Sequence, residues 1–341
     1  MKSAHIPSYQ KLGKYYTVVA CCDIIEDRAK FAAELFGAKA YTDYREMLKS
    51  EELDAVDIAV PNYLHSPIAV DALNSGINVL CEKPDAVSTE AAKAMGDAAE
   101  ANGKVLMVMR NNRFLDMSRF LKSYIDDGKM GEIYAGRCGW QRRRGIPGKG
   151  GWFTTKEKSG GGPLIDLGVH MIDLAIYFMG NPKPVAVSGC TYMKFADSDV
   201  SDSVNSAFGD KIEGGTFDVE DLAMGFIRFA NGACLQIEFS WASNVEKEKV
   251  FVELRGEKAG SEWNSCDGQL KIFTEENGAT VDLIPHVVKH PYCNHCGMIH
   301  HFAEVLLEGK EPIFIPEQGL NMVKILEGIY ESAKTGREVR L

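Results

Sequence analysis

DAVDIAVPNYLHSPIAVDALNSGINVLCEKP (54–84) decides the fold. Its ends, DAVDIAV and NVLCEKP, are short apolar runs of the kind that form strands covered on both faces. Between them HSPIAVDALNSG reads as a helix stopped by Gly76. Strand, helix, strand is a parallel crossover unit. The unit ends on charge, because Glu82 and Lys83 follow Cys81 at a strand tip, where open α/β sheets collect ligands.

The same alternation continues in both directions. Downstream, TEAAKAMGDAAEANG predicts a helix and KVLMVM a strand. Upstream, EDRAKFAAELFG predicts a helix capped at Gly37, followed by a strand near Lys39–Tyr41 and the helix DYREMLKS. Ahead of these, TVVACCDII (17–25) reads as a buried strand with Asp23 at its tip. MKSAHIPSYQKL (1–12), with Ala4, Ile6, Tyr9 and Leu12 among polar residues, reads as a helix entering that strand. A helix followed by a strand with an acid at its tip is the second half of a nucleotide-binding unit. The first strand and its glycine-rich turn are expected to precede this sequence. Residues 1–118 therefore predict a Rossmann-like, doubly wound α/β domain without its first strand.

Residues 119–341 have a different texture. EIYAGRCGW, PVAVSGCTYMKF, DLAMGFIRFANGACLQIEFSWA, KVFVELRG and QLKIFT read as strands, with Asn231-Gly232 as a hairpin turn. Helices are expected at Pro163–Met179, near His295–Leu307 and at Pro316–Thr335. The expectation is an α+β domain with an open, mainly antiparallel sheet and helices on one side. The glycine-rich run 149–163 reads as a shaped loop.

The totals narrow the function. A chain of 341 residues is long enough for two domains. The net charge of −10 argues against nucleic acid or an anionic membrane as partner. No apolar run reaches the ~20 residues of a spanning helix, and no signal peptide is visible. Nine cysteines, several within apolar runs, point to a reducing cytoplasm rather than a disulfide framework.

Four stretches carry candidate chemistry. Lys83 in CEKP either reaches a bound substrate or is a solvated lysine before a helix-starting proline. In GGGPLIDLGVHMIDLAIYFMG (160–180), Asp166, His170 and Asp173 stand at i, i+4 and i+7, the only polar stripe on an apolar helix. A carboxylate one turn from a histidine suits a general base, although a structurally satisfied histidine or a metal pair fits the same spacing. HPYCNHCGMIHH (290–301) offers Cys293, Cys296 and His300 or His301, but lacks the second knuckle of a structural zinc site. QRRRGIPGKGGW (141–152) gathers four cations, either for an anionic substrate or as a solvated loop, with Trp152 as a lid or core residue.

Together these residues resemble the Gfo/Idh/MocA family of NAD(P)-dependent oxidoreductases along essentially the whole chain. The resemblance rests on residues 54–84, on 160–180 and on VEDLAMGFIRFANGACLQIE (219–238). It implies hydride transfer to or from sugars, cyclitols and related polyols, with no metal. It assigns Lys83, Asp166 and His170 to catalysis, with His170 steadied by Asp166 as the proton-transferring group. Asp23, Pro61, Asn62, His65, Glu82, Lys83, Asn112 and Arg113 would face the cofactor. Asp23 at a strand tip favours NAD over NADP, because a carboxylate repels a 2′-phosphate. Lys83, Arg143, Trp152, His170 and Asp173 would face the substrate. A homodimer or homotetramer through the open sheet is expected. The alternatives are a glycoside-cleaving relative with transient redox, and a truncated or non-catalytic sugar-binding relative.

Overall fold

Parallel strands with helical crossovers build the first half, in a computed structural model that describes residues 1–341 apart from the side chain of Asn205. The chain enters through α1 (His5–Lys11), then β1 (Ala20–Cys22), α2 (Glu26–Glu34), β2 (Lys39–Tyr41) and α3 (Tyr44–Ser50). Next come β3 (Ala55–Ile58), α4 (His65–Asn74), β4 (Asn78–Cys81), α5 (Thr89–Ala101), β5 (Leu106–Val108) and α6 (Asp116–Asp126). Sequence signals mark several ends. The Ser88 side chain accepts the Ala91 N–H to cap α5, and Gly37 takes the left-handed φ of +65° that ends the turn after α2.

The parallel strands form two separate pieces, β1-β2 and β3-β4-β5. In the order 3-2-1-4-5-6 the gap between them is the place of the first strand, and no strand among the described residues fills it. With only β2 as a neighbour, β1 is three residues long, shorter than the run 17–25 that its composition predicts.

The second half contains β6 (Ile133–Gln141), the one-turn α7 (Lys156–Ser159), a π-turn (Leu164–Gly168), α8 (Val169–Phe178) and β7 (Pro184–Tyr192). It continues with β8 (Leu222–Phe229), β9 (Cys234–Ser240), β10 (Lys249–Gly256), β11 (Ala259–Asn264), β12 (Gln269–Glu276) and β13 (Ala279–Leu283). Helices α9 (Asn294–Glu308) and α10 (Pro316–Thr335) and the short β14 (Val339–Arg340) close the chain. These strands make one nine-stranded sheet, β13-β12-β11-β10-β6-β9-β8-β7-β14, antiparallel except for the β6–β9 pair. The β8–β9 hairpin turns at Asn231-Gly232, with Gly232 at φ +88°.

One face of the sheet packs on the π-turn, α8 and α10, where Phe178, Ile172, Ile227, Leu235, Phe239 and Ile329 are buried together. Helix α10 lies unusually close because Gly189 and Gly225, paired across β7 and β8, leave room for the Ile329 side chain. A Cβ at either glycine would come within 2.8 Å of Ile329. The first domain has its own core, which includes Met298, Ile299 and Phe302 from α9 and Val323 from α10. The chain thus returns to complete the nucleotide half after building the sheet.

Candidate active site

Three segments converge between the two cores: the tip of β4, the loop after β5, and the π-turn with the start of α8. Their facing side chains are Lys83, Met109, Arg110, Asn112, Val169, His170 and Asp173.

Lys83 is placed from several directions. The His65 ring lies 2.7 Å from the Pro84 carbonyl and 2.9 Å from that of Val60, so it braces the loop carrying Lys83. His65, expected in the nucleotide cleft, is fully buried between these two carbonyls. Asn62 is buried too, and its amide donates to the Ser159 carbonyl at 2.8 Å, tying the residue after Pro61 to α7. Glu82 turns away from Lys83, accepting the Lys83 N–H at 3.0 Å and bonding His5.

The Lys83 ammonium donates to Asp166 Oδ1 at 2.8 Å and to the Asp166 carbonyl at 2.9 Å. The other Asp166 oxygen accepts the Trp241 indole N–H at 2.9 Å. Burial pushes the Asp166 carboxyl upward, but the charges of Lys83 and Arg142, with the bonds from Lys83 and Trp241, bring it down to about 2. Asp166 is therefore an anion that orients Lys83.

The expected Asp166–His170 pair is not formed. The π-turn over Leu164–Gly168 replaces the regular helix assumed by the i, i+4 reading, and both carboxylate oxygens are taken by Lys83 and Trp241. Among the described residues His170 makes no hydrogen bond. Its ring tilts toward Trp140, 6.0 Å between centroids. Burial, then the neighbouring Lys83 charge, drives its pKa to about 3, against a smaller upward pull from Asp166. His170 is thus a neutral imidazole at physiological pH, able to accept a proton. The ring resonances absent from a His170→Ala spectrum are expected to hold their neutral positions from about pH 8 to pH 5, whereas an ordinary histidine titrates near ~6.5.

The glycine-rich run serves this turn. Glu220 accepts the N–H groups of Gly162 and Leu164 at 3.0 and 3.1 Å and the Tyr330 hydroxyl at 2.9 Å, placing a carboxylate at the start of the helix. A Cβ on Gly161 would meet the Tyr330 hydroxyl at 1.9 Å, and one on Gly162 the Glu220 carbonyl at 2.0 Å.

Asp173, expected among the substrate-facing residues, lines the cleft as the shared anion of a buried ion-pair cluster. It is 5% exposed, and Arg110 and Arg113 occupy both its oxygens at 2.6–2.9 Å. Arg110 also reaches Asp85 at 2.6 Å. Arg113 donates further to the Ile313 carbonyl and Gln318, so it is a buried junction residue rather than a cofactor contact. Arg143 is mostly exposed and lies 3.5 Å from Asp202. Its buried neighbour Arg142 adds a second, smaller charge effect to that of Lys83 on Asp166. Trp152 stacks on Phe153, 3.8 Å between centroids. Asp23 stands at the β1 tip on the separate two-stranded piece, its Oδ1 accepting the Ile25 N–H at 2.9 Å. Sequence reasoning missed Trp241, Trp140 and Arg110, and no local signal links them to Lys83. Cys293, Cys296 and His300 form no shared ligand cluster among the described residues.

A parallel nucleotide-type domain, a mixed open sheet, and a lysine beside an unbonded imidazole between them define a dinucleotide-dependent oxidoreductase. Residues 1–110 match the oxidoreductase family's NAD-binding Rossmann fold, and residues 122–341 match its C-terminal alpha/beta domain. The chain belongs to the Gfo/Idh/MocA oxidoreductase family. It is 34% identical over 328 residues to the D-glucoside 3-dehydrogenase of Escherichia coli, covering 95% of this chain and 90% of that protein. With the levoglucosan dehydrogenase of Pseudarthrobacter phenanthrenivorans it shares 32% over 240 residues, 68% of this chain and 61% of the relative. The solved levoglucosan dehydrogenase with NADH superposes with a TM-score of 0.85 at 24% identity, covering 100% of this chain and 96% of the other. No helix is long and apolar enough to cross a membrane among the described residues.

Proposed function

We propose that the chain is an NAD-dependent dehydrogenase that oxidises a secondary hydroxyl of a sugar or cyclitol, with His170 taking the hydroxyl proton. One observation carries this reading: an imidazole without a hydrogen-bond partner among the described residues and an oriented ammonium line the same cleft. The substrate class is supported by the relatives, whose names specify a glucoside and levoglucosan.

The residues fit the dinucleotide at two places. Asp23 has no hydrogen bond on Oδ2 among the described residues, leaving it able to accept from a ribose hydroxyl, and its charge disfavours a 2′-phosphate. Lys83 and Asn112 line the cleft where the nicotinamide end would lie. A dinucleotide held there would supply the hydride acceptor for the carbinol carbon. His170 accepts the hydroxyl proton as that bond breaks. Of the three ammonium protons on Lys83, two are bound by Asp166, which leaves one to donate to the developing alkoxide. Trp241 keeps Asp166, and through it Lys83, in place.

The test is to incubate the purified chain with NAD and a panel of methyl glucosides, levoglucosan and inositols, following NADH absorbance and ketone formation together. Equal amounts of NADH and ketone are expected with at least one compound. Ketone or cleaved aglycone without NADH release, or no turnover across the panel, would overturn the assignment.

We further propose that the open sheet face joins a second copy of the chain. Tyr134, Tyr192 and Phe273 are exposed large hydrophobes on sheet strands, and a solution mass at least twice 37.6 kDa is expected. The nine free cysteines support a reducing, cytoplasmic location.

A further inference from the structure

We propose that His5, Glu82 and His295 form a binding site for a divalent cation, best matched to zinc, that fastens α1, the β4 tip and α9 together. The three residues are separated by 77 and 213 positions in sequence, yet one ligand atom from each lies within 4.8 Å of the others. His5 Nε2 is 2.7 Å from Glu82 Oε1, and His295 Nε2 is 3.7 Å from the same oxygen. The two imidazole rings stand 5.6 Å apart. His5 is buried, and the His295 side chain is 26% exposed.

The outer side of His5 strengthens the case. Its Nδ1 is 2.6 Å from Asp57 Oδ2, so a carboxylate sits against each ring nitrogen. A neutral imidazole has one N–H and can satisfy only one of these acceptors. The second contact, at hydrogen-bond distance, needs a second ring proton, and a cation bound by both atoms would replace that proton with a wider nitrogen–oxygen separation. Even with two ring protons, one positive charge faces two carboxylates, and Asp57 Oδ1 is buried without a partner. A divalent ion in place of the Nε2 proton brings the group to neutrality. Asp57 then holds the Nδ1 proton and aims Nε2 inward, the carboxylate–histidine–metal arrangement of metalloproteins. Two imidazoles and one carboxylate are a zinc donor set that leaves a fourth position for water, and they suit magnesium or calcium poorly. The cluster lies outside the residues that move the proton. Its ion would tie the segment leading into Lys83 to two helices.

The experiment uses the full chain without a histidine tag, stripped of metal and titrated with Zn²⁺, with Co²⁺ as the spectroscopic probe. Expected are one equivalent bound, a cobalt spectrum without thiolate charge transfer, and a melting midpoint that rises with free Zn²⁺. His295→Ala, or His295→Gln if the alanine chain does not fold, should weaken binding by at least the ~10–100-fold that loss of an outer partner costs. The Cys293→Ser/Cys296→Ser chain should bind as before. Absence of saturable binding, thiolate bands, unchanged affinity in both His295 variants, or loss in the double serine chain each overturns the proposal.

Discussion

Lys83→Ala and His170→Ala are each expected to lose roughly 10²–10⁴ in kcat, the range for removing a positioned proton-transfer or hydrogen-bonding group. The two losses should differ in kind. His170 has no hydrogen bond among the described residues, so its removal leaves no buried partner stranded, and the folded chain should melt near the parent temperature. Lys83 is the ion-pair partner of Asp166, and its removal leaves that buried carboxylate with only the Trp241 bond and the charge of Arg142. Lys83→Ala is therefore expected to lower stability as well as rate. Steady-state rates with NAD and the best sugar of the panel, together with thermal melts, separate the effects. Parent-like kcat in either chain removes that residue from the mechanism.

Asp173→Ala is expected to destabilise the chain by about 3–5 kcal/mol, because two buried guanidinium groups lose their shared anion. The melting midpoint should fall by roughly 10 °C. The measurement also decides between the two readings of this residue. A substrate ligand would raise KM and leave melting intact. The geometry, with Arg110 and Arg113 closing on both oxygens, predicts the reverse order of effects, with melting falling first. Activity should fall too, since Asp173 lies one turn beyond His170 on α8 and fixes how that helix meets the nucleotide half.

Much of this architecture was legible where local pattern and tertiary structure agree. Lys39–Tyr41 and Pro316–Thr335 form where they are expected, the latter because proline opens the helix and Gly336 closes it. Strand β11 was not legible: AGSEWN has little apolar content and is a strand because β10 and β12 flank it. The candidate site was legible in part. Lys83 and His170, singled out by motif and spacing, do line one cleft, but the partners of Asp166 are set by a π-turn and by Trp241, 75 residues away in sequence. Spacing on an ideal helix cannot anticipate either. In the arginine cluster the sequence did not show which residue is buried: Arg143 is exposed, whereas Arg142 is buried and adds to the charge of Lys83 on Asp166.

Helix α10 has a mechanical implication. Its successive residues Met322 and Val323 are embedded in different lobes, one under the large sheet and the other beneath the parallel strands. Gln318 grips Arg113, and Glu327 grips Thr89. A rod shared in this way resists wide jaw-like separation of the halves. If His170 moves the proton as proposed, this shared rod would hold its helix in a constant position against the nucleotide half.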